Sequence, residues 1–299
     1  MPLLLIQTIQ RDSVISFPAL GLSLDPPASF ELFGIRIYFY GVLIALGFLL
    51  AILYCSKIAP RFGLTSDAFY DFMLWLIPLS IVGARLYYVL FRLDYYLLYP
   101  GEIFALRDGG LAIYGGVIAG VLTAYVFCRR KKIPVPALLD LAVLGLLIGQ
   151  ILGRWGNFMN REAFGAETEI FCRMGLTDPS GNTIYVHPTF LYESLWNLVG
   201  FVFLARWTRK GGRKYDGQAA LLYFLWYGLG RAWIEGLRTD SLYIGNTGVR
   251  VSQALSAVLF LVSLCILLIQ RRRAHPPEAL YVNRNKETTV EGDKEHEQL

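Results

Sequence analysis

The sequence has few charged residues for its length and few side chains that could hold a metal. Only 17% of its 299 residues are charged, whereas about a quarter is usual for soluble proteins, and 55% are hydrophobic. The chain contains three histidines and four cysteines, all scattered, with no CxxC or other metal-ligand spacing. These scarcities exclude a typical soluble domain and a histidine-rich metal site, and we expect no metal site.

Apolar segments of about 20 residues recur along the chain, and this is the length that an α-helix needs to cross a bilayer. Their repetition predicts an all-α membrane protein with seven transmembrane helices. The expected spans are 36–55, 68–91, 110–128, 136–155, 188–207, 217–236 and 251–270. The chain then divides into an N-terminal extracytoplasmic or interfacial lead-in (1–33), a seven-helix transmembrane domain (34–273) and a disordered cytoplasmic tail (274–299).

Lysine and arginine residues set the orientation of such a protein, because they are retained on the cytoplasmic side. They follow the first, third, fifth and seventh spans, as in the run Arg129–Lys132 and the run Arg271–Arg273. The N-terminus is therefore expected outside and the C-terminus in the cytoplasm. The net charge of +5 lies mostly in these segments, so it indicates topology and not a nucleic-acid partner.

The fourth span ends in a polar stretch on the outer side. Arg154, Asn157 and Asn160 are three residues apart and would share a helix face, and Glu162 and Gly165 follow. Burying an arginine in a membrane costs about 2.5–3.5 kcal/mol even on the lenient insertion scale. Snorkelling side chains at a helix end are an alternative that suits Arg161, but the amides and the carboxylate are too short for it.

A second polar group closes the sixth span. Arg231, Glu235 and Arg238 are spaced to share one helix face, which could also be a self-neutralising ion ladder. Three arginines on the outer side, with only two glutamates (Glu193 and Glu235) inside the nearby spans, favour an anionic ligand. Guanidinium groups fit phosphate oxygens in two-point contacts that lysine cannot copy.

Other polar residues in or beside the spans have ordinary alternatives. Tyr40 and Tyr114 could belong to an interfacial aromatic belt, and His187 could cap the fifth span. Arg85 lies in the second half of the second span, and Glu193 opens the fifth. A membrane transporter or flippase for an anionic lipid or solute would also explain intramembrane charges, but no repeat between halves is visible. A purely structural role for the protein would not explain why three arginines lie together on the outer side.

The segment Gly153–Gly165 resembles the signature of bacterial phosphatidylglycerol–prolipoprotein diacylglyceryl transferases. The likeness extends to Tyr40–Gly41, Gly83–Tyr88, Asp108–Gly116, His187–Glu193 and Arg231–Arg238. The resemblance implies a seven-span enzyme of the bacterial plasma (inner) membrane, with its active site toward the extracytoplasmic side. Such enzymes move the diacylglyceryl group of phosphatidylglycerol onto the lipobox cysteine thiol of a prolipoprotein signal peptide, and they release glycerol 1-phosphate. The resemblance implies partners among membrane lipids and prolipoproteins, no nucleic acid and no cofactor.

The resemblance also implies roles for the matching residues. Arg154 would bind the lipid head group in a site shaped by Asn157, Asn160, Glu162 and Gly165. A second polar wall would consist of Arg231, Glu235 and Arg238, and the supporting residues would be Tyr40, Arg85 and Glu193. His187 belongs to the substrate-binding set as well, and the general base stays open among Glu162, Glu235, Tyr114 and His187.

Three positions depart from the family pattern. Tyr114 stands where many members carry histidine, Arg161 where glycine is common, and Ala166 where an arginine often follows the signature. If the chain is active, an imidazole at position 114 is dispensable.

Overall fold

Seven long helices make up most of the computed structural model, which describes residues 13–106, 109–239, 243, 247–248 and 250–284. They are α1 Phe39–Ile58, α2 Ser66–Leu90, α3 Ile113–Lys131, α4 Val135–Asn160, α5 Thr189–Arg209, α6 Gln218–Leu237 and α7 Val251–Arg271. Each overlaps one predicted span. Four segments are long and apolar enough to cross a membrane: Phe39–Phe62, Ser66–Leu90, Val135–Asn160 and Val251–Arg271. The protein is therefore mostly helical and membrane-embedded.

Six short strands correct the prediction of an all-α fold. An antiparallel sheet has the order β2-β1-β5-β6, and a separate hairpin pairs β3 with β4. The strands are β1 Val14–Phe17, β2 Leu22–Leu24, β3 Ser29–Leu32, β4 Ile35–Tyr38, β5 Met174–Thr177 and β6 Thr183–Val186. Strands of three or four residues carry too little alternation to be distinguished from loops in the sequence.

The chain forms two compact units. The first comprises Met1–Ala51, Val143–Arg213 and Gln218–Ala274, and the second comprises Ile52–Ala142, Lys214–Gly217 and His275–Leu299, each as far as it is described. In the first unit a small core joins one face of the four-stranded sheet to the ends of α4 and α5. Its buried members are Ile15, Phe158, Met174, Leu176, Val186 and Phe190. The lead-in is thereby packed against the C-terminal end of α4.

Helices α5 and α6 of the first unit are held together by two reciprocal tryptophans. The Trp196 indole donates to the carbonyl of Trp226 at 3.1 Å, and the Trp226 indole donates to the carbonyl of Trp196 at 3.0 Å. The rings stack with centroids 4.3 Å apart. Trp226 packs over Gly200 and Trp196 over Gly230, where a Cβ would overlap the indole. This pair, which we call the tryptophan lock, fixes the register of the two helices.

In the second unit, Arg85 holds the loop that connects α2 to α3. The side chain is buried, with no carboxylate among its described hydrogen-bond partners. Its Nε donates to Ile103 O at 2.9 Å, its Nη2 to Glu102 O at 2.6 Å, and its Nη1 to the carbonyls of Gly109 and Gly110 at 2.7 and 3.0 Å. The guanidinium therefore satisfies four backbone carbonyls of one loop.

Replacing Arg85 with methionine is expected to lower the free energy of unfolding by about 1–3 kcal/mol, because carbonyls enclosed by the loop would lose their donors. Thermal unfolding in detergent, followed by tryptophan fluorescence, measures the change. Arg92→Met is the matched control, since Arg92 is exposed in the same loop. Equal unfolding midpoints for the two variants would contradict this role of Arg85.

The first part of the predicted disordered tail is packed in the second unit. The backbone N–H of Tyr281 donates to Asp216 Oδ2 at 3.0 Å, and Arg284 Nη2 donates to the same oxygen at 2.9 Å. Gly63 has a φ of 80°, and a Cβ there would lie within 2.9 Å of Tyr281 and Val282. The prediction of disorder is therefore not met up to residue 284, and the remainder, 285–299, lies outside the described residues.

Candidate active site

Helix α4 ends in a tight reversal that carries most of the polar stretch. The N–H of Glu162 donates to Asn157 O at 3.0 Å and that of Arg161 to Phe158 O at 3.1 Å, the two bonds of a Schellman cap. The residue that reverses the chain is Arg161, with a φ of 52°. Asn157 Nδ2 and Asn160 Nδ2 then donate to Glu162 Oε1 at 3.0 and 3.3 Å. The predicted common face of the two amides is confirmed, and Glu162 joins it through the cap.

Gly165 lets the segment after the cap approach both neighbouring helices. Its N–H donates to His187 O at 2.9 Å, and the N–H of Ala166 donates to Leu237 O at 2.7 Å. A Cβ on Gly165 would lie 2.6 Å from His187 Cβ and 2.9 Å from Leu237 O. The absence of a side chain here brings the end of α4, the start of α5 and the end of α6 together.

Glu193 on α5 is the centre of the charged cluster. Its Oε2 lies 2.5 Å from Arg154 Nε, and its Oε1 lies 2.6 Å from Arg231 Nη1 and 3.7 Å from Arg238 Nη1. Arg231 Nη2 also pairs with Glu235 Oε2 at 2.7 Å, which confirms the predicted i,i+4 face. Three guanidinium groups from two helices and the segment after α6 thus share one carboxylate.

The cluster is largely closed to solvent and rich in arginine. The side chain of Glu193 is 7% exposed, that of Glu235 2%, and that of Arg154 25%. Three guanidinium groups are gathered around the Glu193 carboxylate. Electrostatic interactions are strong where water is excluded, and such a cluster favours binding of an anion. The most exposed of the three guanidinium groups is that of Arg154, at the end of α4.

A hydrogen-bonded relay connects the cluster to Glu162. Arg154 Nη1 donates to Asn157 Oδ1 at 3.1 Å, and Asn157 in turn donates to Glu162. Tyr40 at the start of α1 packs its ring into the space left by Gly156, where a Cβ would lie 2.5 Å from the ring. Hydrogen bonds therefore group Arg154, Asn157, Asn160 and Glu162, and Tyr40 packs against the same end of α4.

His187 lies at the edge of this group, just before α5. Its Nδ1 is 3.5 Å from the hydroxyl of Tyr192, and burial lowers the pKa of His187 below its usual value of about 6.5. Its backbone N–H and C=O pair with Ala166 and Gly165. The imidazole is therefore held neutral near pH 7, beside the segment that Gly165 brings in.

Stability is expected to fall as the pH falls below about 6.5, because the unfolded chain then binds a proton at His187 that the folded protein resists. A depressed folded pKa means that the full stability is present above that pH and is lost below it. Unfolding midpoints at pH 7.5 and pH 5.5, compared between the wild type and His187→Gln, measure this dependence. The variant should lose less stability between the two values, and an identical loss would contradict the prediction.

Two predicted site residues belong to the second unit. Tyr114 lies in the first turn of α3, is 41% exposed, and its hydroxyl has no partner among the residues that the structure describes. Arg85 donates to the loop carbonyls given above. Asp108, the first residue of the matching segment Asp108–Gly116, lies outside the described residues. No set of three or more histidine, cysteine, aspartate or glutamate side chains in the described ranges is grouped to hold a metal.

Sequence reasoning missed the polar pair that lies one turn deeper than the cluster. Gln150 Nε2 donates to the hydroxyl of Tyr223 at 2.8 Å, joining α4 to α6. Gln150 precedes Arg154 by four residues and Tyr223 precedes Arg231 by eight, so the helical period was the available signal. The snorkelling interpretation of Arg161 is also wrong, because its side chain is buried against the lead-in.

Fold and site together define a helical membrane protein with an arginine-rich, largely enclosed polar cluster at its helix ends. The family model of prolipoprotein diacylglyceryl transferases matches residues 27–269. A phosphatidylglycerol–prolipoprotein diacylglyceryl transferase of Enterococcus faecalis is 44% identical over 266 residues, 87% of this chain and 94% of the relative. One of Streptococcus pyogenes serotype M1 is 44% identical over 242 residues, 80% and 92% of the two chains. The chain belongs to the prolipoprotein diacylglyceryl transferase family, which confirms the resemblance drawn from the signature.

Proposed function

We propose that this transferase moves the diacylglyceryl group of phosphatidylglycerol to the lipobox cysteine thiol of prolipoproteins, forming a thioether and releasing glycerol 1-phosphate. Membership of the family supports the reaction. The observation that carries it in the structure is the convergence of Arg154, Arg231 and Arg238 on Glu193. A phosphodiester head group carries the charge and the paired oxygens that such guanidinium groups bind.

The arginines would stabilise the charge that develops when the C–O bond between glycerol and phosphate breaks. The cysteine thiolate forms a C–S bond to the glycerol carbon that bears the phosphoester, and the C–O bond to phosphate breaks with its electron pair on oxygen. Negative charge grows on the leaving phosphate monoester during this step. Arg154 and Arg231 already point into one cluster, so they would stabilise that charge without reorganising.

Glu162 is the general base that the geometry favours. The thiol must lose its proton, because the thiol itself is a poor nucleophile at a pKa of about 8.5. Glu162 is exposed, and its Oε1 accepts from two amides, which leaves Oε2 uncommitted among the described residues. Glu235 is instead enclosed and paired with Arg231. Full activity of Tyr114→Phe would show that the Tyr114 hydroxyl is not the general base.

We also propose that α1 to α7 each cross the bacterial plasma membrane, with the N-terminus outside and the C-terminus in the cytoplasm. Basic residues end α3, α5 and α7, which supports this orientation. The cluster would then face the outer leaflet, where phosphatidylglycerol and secreted prolipoproteins meet. The lead-in (1–33), the catalytic domain (34–273) and the tail (274–299) remain the proposed division.

A reconstitution tests the proposed function. The purified protein is mixed with phosphatidylglycerol vesicles and a lipobox peptide, and the mass of the peptide is measured. We expect the peptide to gain one diacylglyceryl group, with no gain in vesicles of phosphatidylcholine alone or with a peptide whose cysteine is replaced by serine. Movement of lipid between leaflets without modification of the peptide would favour a flippase and refute the proposal.

A further inference from the structure

Arg161 has a backbone conformation that most side chains avoid, directly beside two residues of the candidate site. Its φ of 52° lies in the left-handed region, where glycine is the usual residue after a helix. This conformation reverses the chain and brings Glu162 over the amides of Asn157 and Asn160. An arginine is strained here, so some interaction of its side chain has to offset the strain.

The side chain of Arg161 makes that interaction with the lead-in. Its Nε donates to Ser13 O at 2.6 Å, and its Nη2 pairs with Asp25 Oδ1 at 2.6 Å. Its Nη1 donates to Met159 O at 3.1 Å, and the side chain is only 3% exposed. Ser13 directly precedes β1 and Asp25 directly follows β2, so one guanidinium holds both ends of this hairpin. We call this set of contacts the Arg161 clasp.

We propose that Arg161 and Asp25 are positioning residues of the transfer reaction, because the clasp holds the reversal that keeps Glu162 beside Asn157 and Asn160. This inference rests on the proposed function, which gives Glu162 a part in the chemistry. Neither Arg161 nor Asp25 hydrogen-bonds to the charged cluster in the described structure. They act through the backbone, at the one residue whose φ decides where Glu162 lies.

Two substitutions at position 161 separate the backbone from the side chain. Alanine removes the clasp but keeps the strain of a Cβ in the left-handed region, so the reversal should open. Glycine removes the clasp and the strain together, so the reversal should persist without help from the lead-in. A side chain that only filled space in the sheet would make the two variants equally defective, since both delete it.

The experiment measures cap opening and catalysis in the full-length protein. Hydrogen–deuterium exchange reports the Glu162 amide, which is bonded to Asn157 O, and thioether formation gives kcat and KM. Arg161→Ala should raise exchange and lower kcat, each about tenfold, with little change in the KM for phosphatidylglycerol. Arg161→Gly should bring both the exchange of the Glu162 amide and kcat most of the way back to the wild-type values. Asp25→Ala should give values between those of the wild type and of Arg161→Ala. Arg36→Ala is the control, because it breaks the Arg36–Glu31 pair of the β3–β4 hairpin without touching the cap.

Two results would overturn the clasp. The first is an Arg161→Gly protein as defective as Arg161→Ala, and the second is an Arg161→Ala protein that matches the wild type. Failure of the proposed function is recognised separately, since the wild type would then form no thioether. The exchange measurement, made in phosphatidylcholine without peptide, would still decide whether the clasp holds the reversal.

Discussion

Replacing Glu193 with glutamine is expected to lower the free energy of unfolding by about 3–5 kcal/mol and to abolish thioether formation. The glutamate is the shared partner of Arg154, Arg231 and Arg238, and its side chain is 7% exposed. Without its charge, three closely spaced guanidinium groups would lose the carboxylate that they share. Their mutual repulsion would open the cluster before any lipid entered.

The same variant offers a test of the anion site that does not depend on catalysis. Phosphatidylglycerol should raise the unfolding midpoint of Glu193→Gln more than that of the wild type, because its phosphate supplies the missing negative charge. Phosphatidylcholine should not do so, since its head group has no net charge. Glu167→Gln is the matched control, as Glu167 is exposed in the segment after the cap. Wild-type stability of the Glu193 variant would contradict the central position of this carboxylate.

The second large effect is expected for Arg154→Lys, which should reduce turnover by about 100-fold at unchanged fold. Arg154 uses Nε for Glu193 and Nη1 for Asn157, a two-directional contact that a single ammonium group cannot reproduce. The rate of thioether formation at saturating lipid measures the loss. Arg36 is an exposed arginine of the β3–β4 hairpin, and Arg36→Lys should behave as the wild type.

Near-normal turnover of Arg154→Lys would show that charge alone suffices at this position. The two-point recognition of phosphate would then have to come from Arg231, which pairs with both Glu193 and Glu235. Loss of the folded protein is monitored in parallel by its unfolding midpoint, so that a rate effect is not confused with instability.

Much of the helical architecture could be predicted from the sequence because it depends on local patterns. Apolar runs long enough to cross a membrane predicted each long helix. Spacings of three and four residues predicted that Asn157 shares a helix face with Asn160, and Arg231 with Glu235. These features need only the helical period and the thickness of a bilayer. The family signature added the identity of the reaction.

The tertiary contacts of the site could not be predicted, because they join residues far apart in the chain. Glu193 was expected to support the site, yet it lies at its centre, where α4 and α6 meet α5. Arg161 was interpreted as a snorkelling side chain, whereas its partner Asp25 is 136 residues away. Arg238 was expected to share a helix face with Glu235, but α6 ends at Leu237, and the Arg238 side chain contacts Glu193 on α5.

The tryptophan lock also sets the spacing of two charges in the site. Glu193 is less than one turn from Trp196, and Arg231 is adjacent to Gly230, so the lock fixes the positions of Glu193 and Arg231 relative to each other. Sliding α5 along α6 would break both indole bonds at once. Arg154 lies on α4, outside this pair of helices, so a rearrangement that keeps both indole bonds would change its distance to Glu193 and leave the Glu193–Arg231 pair intact.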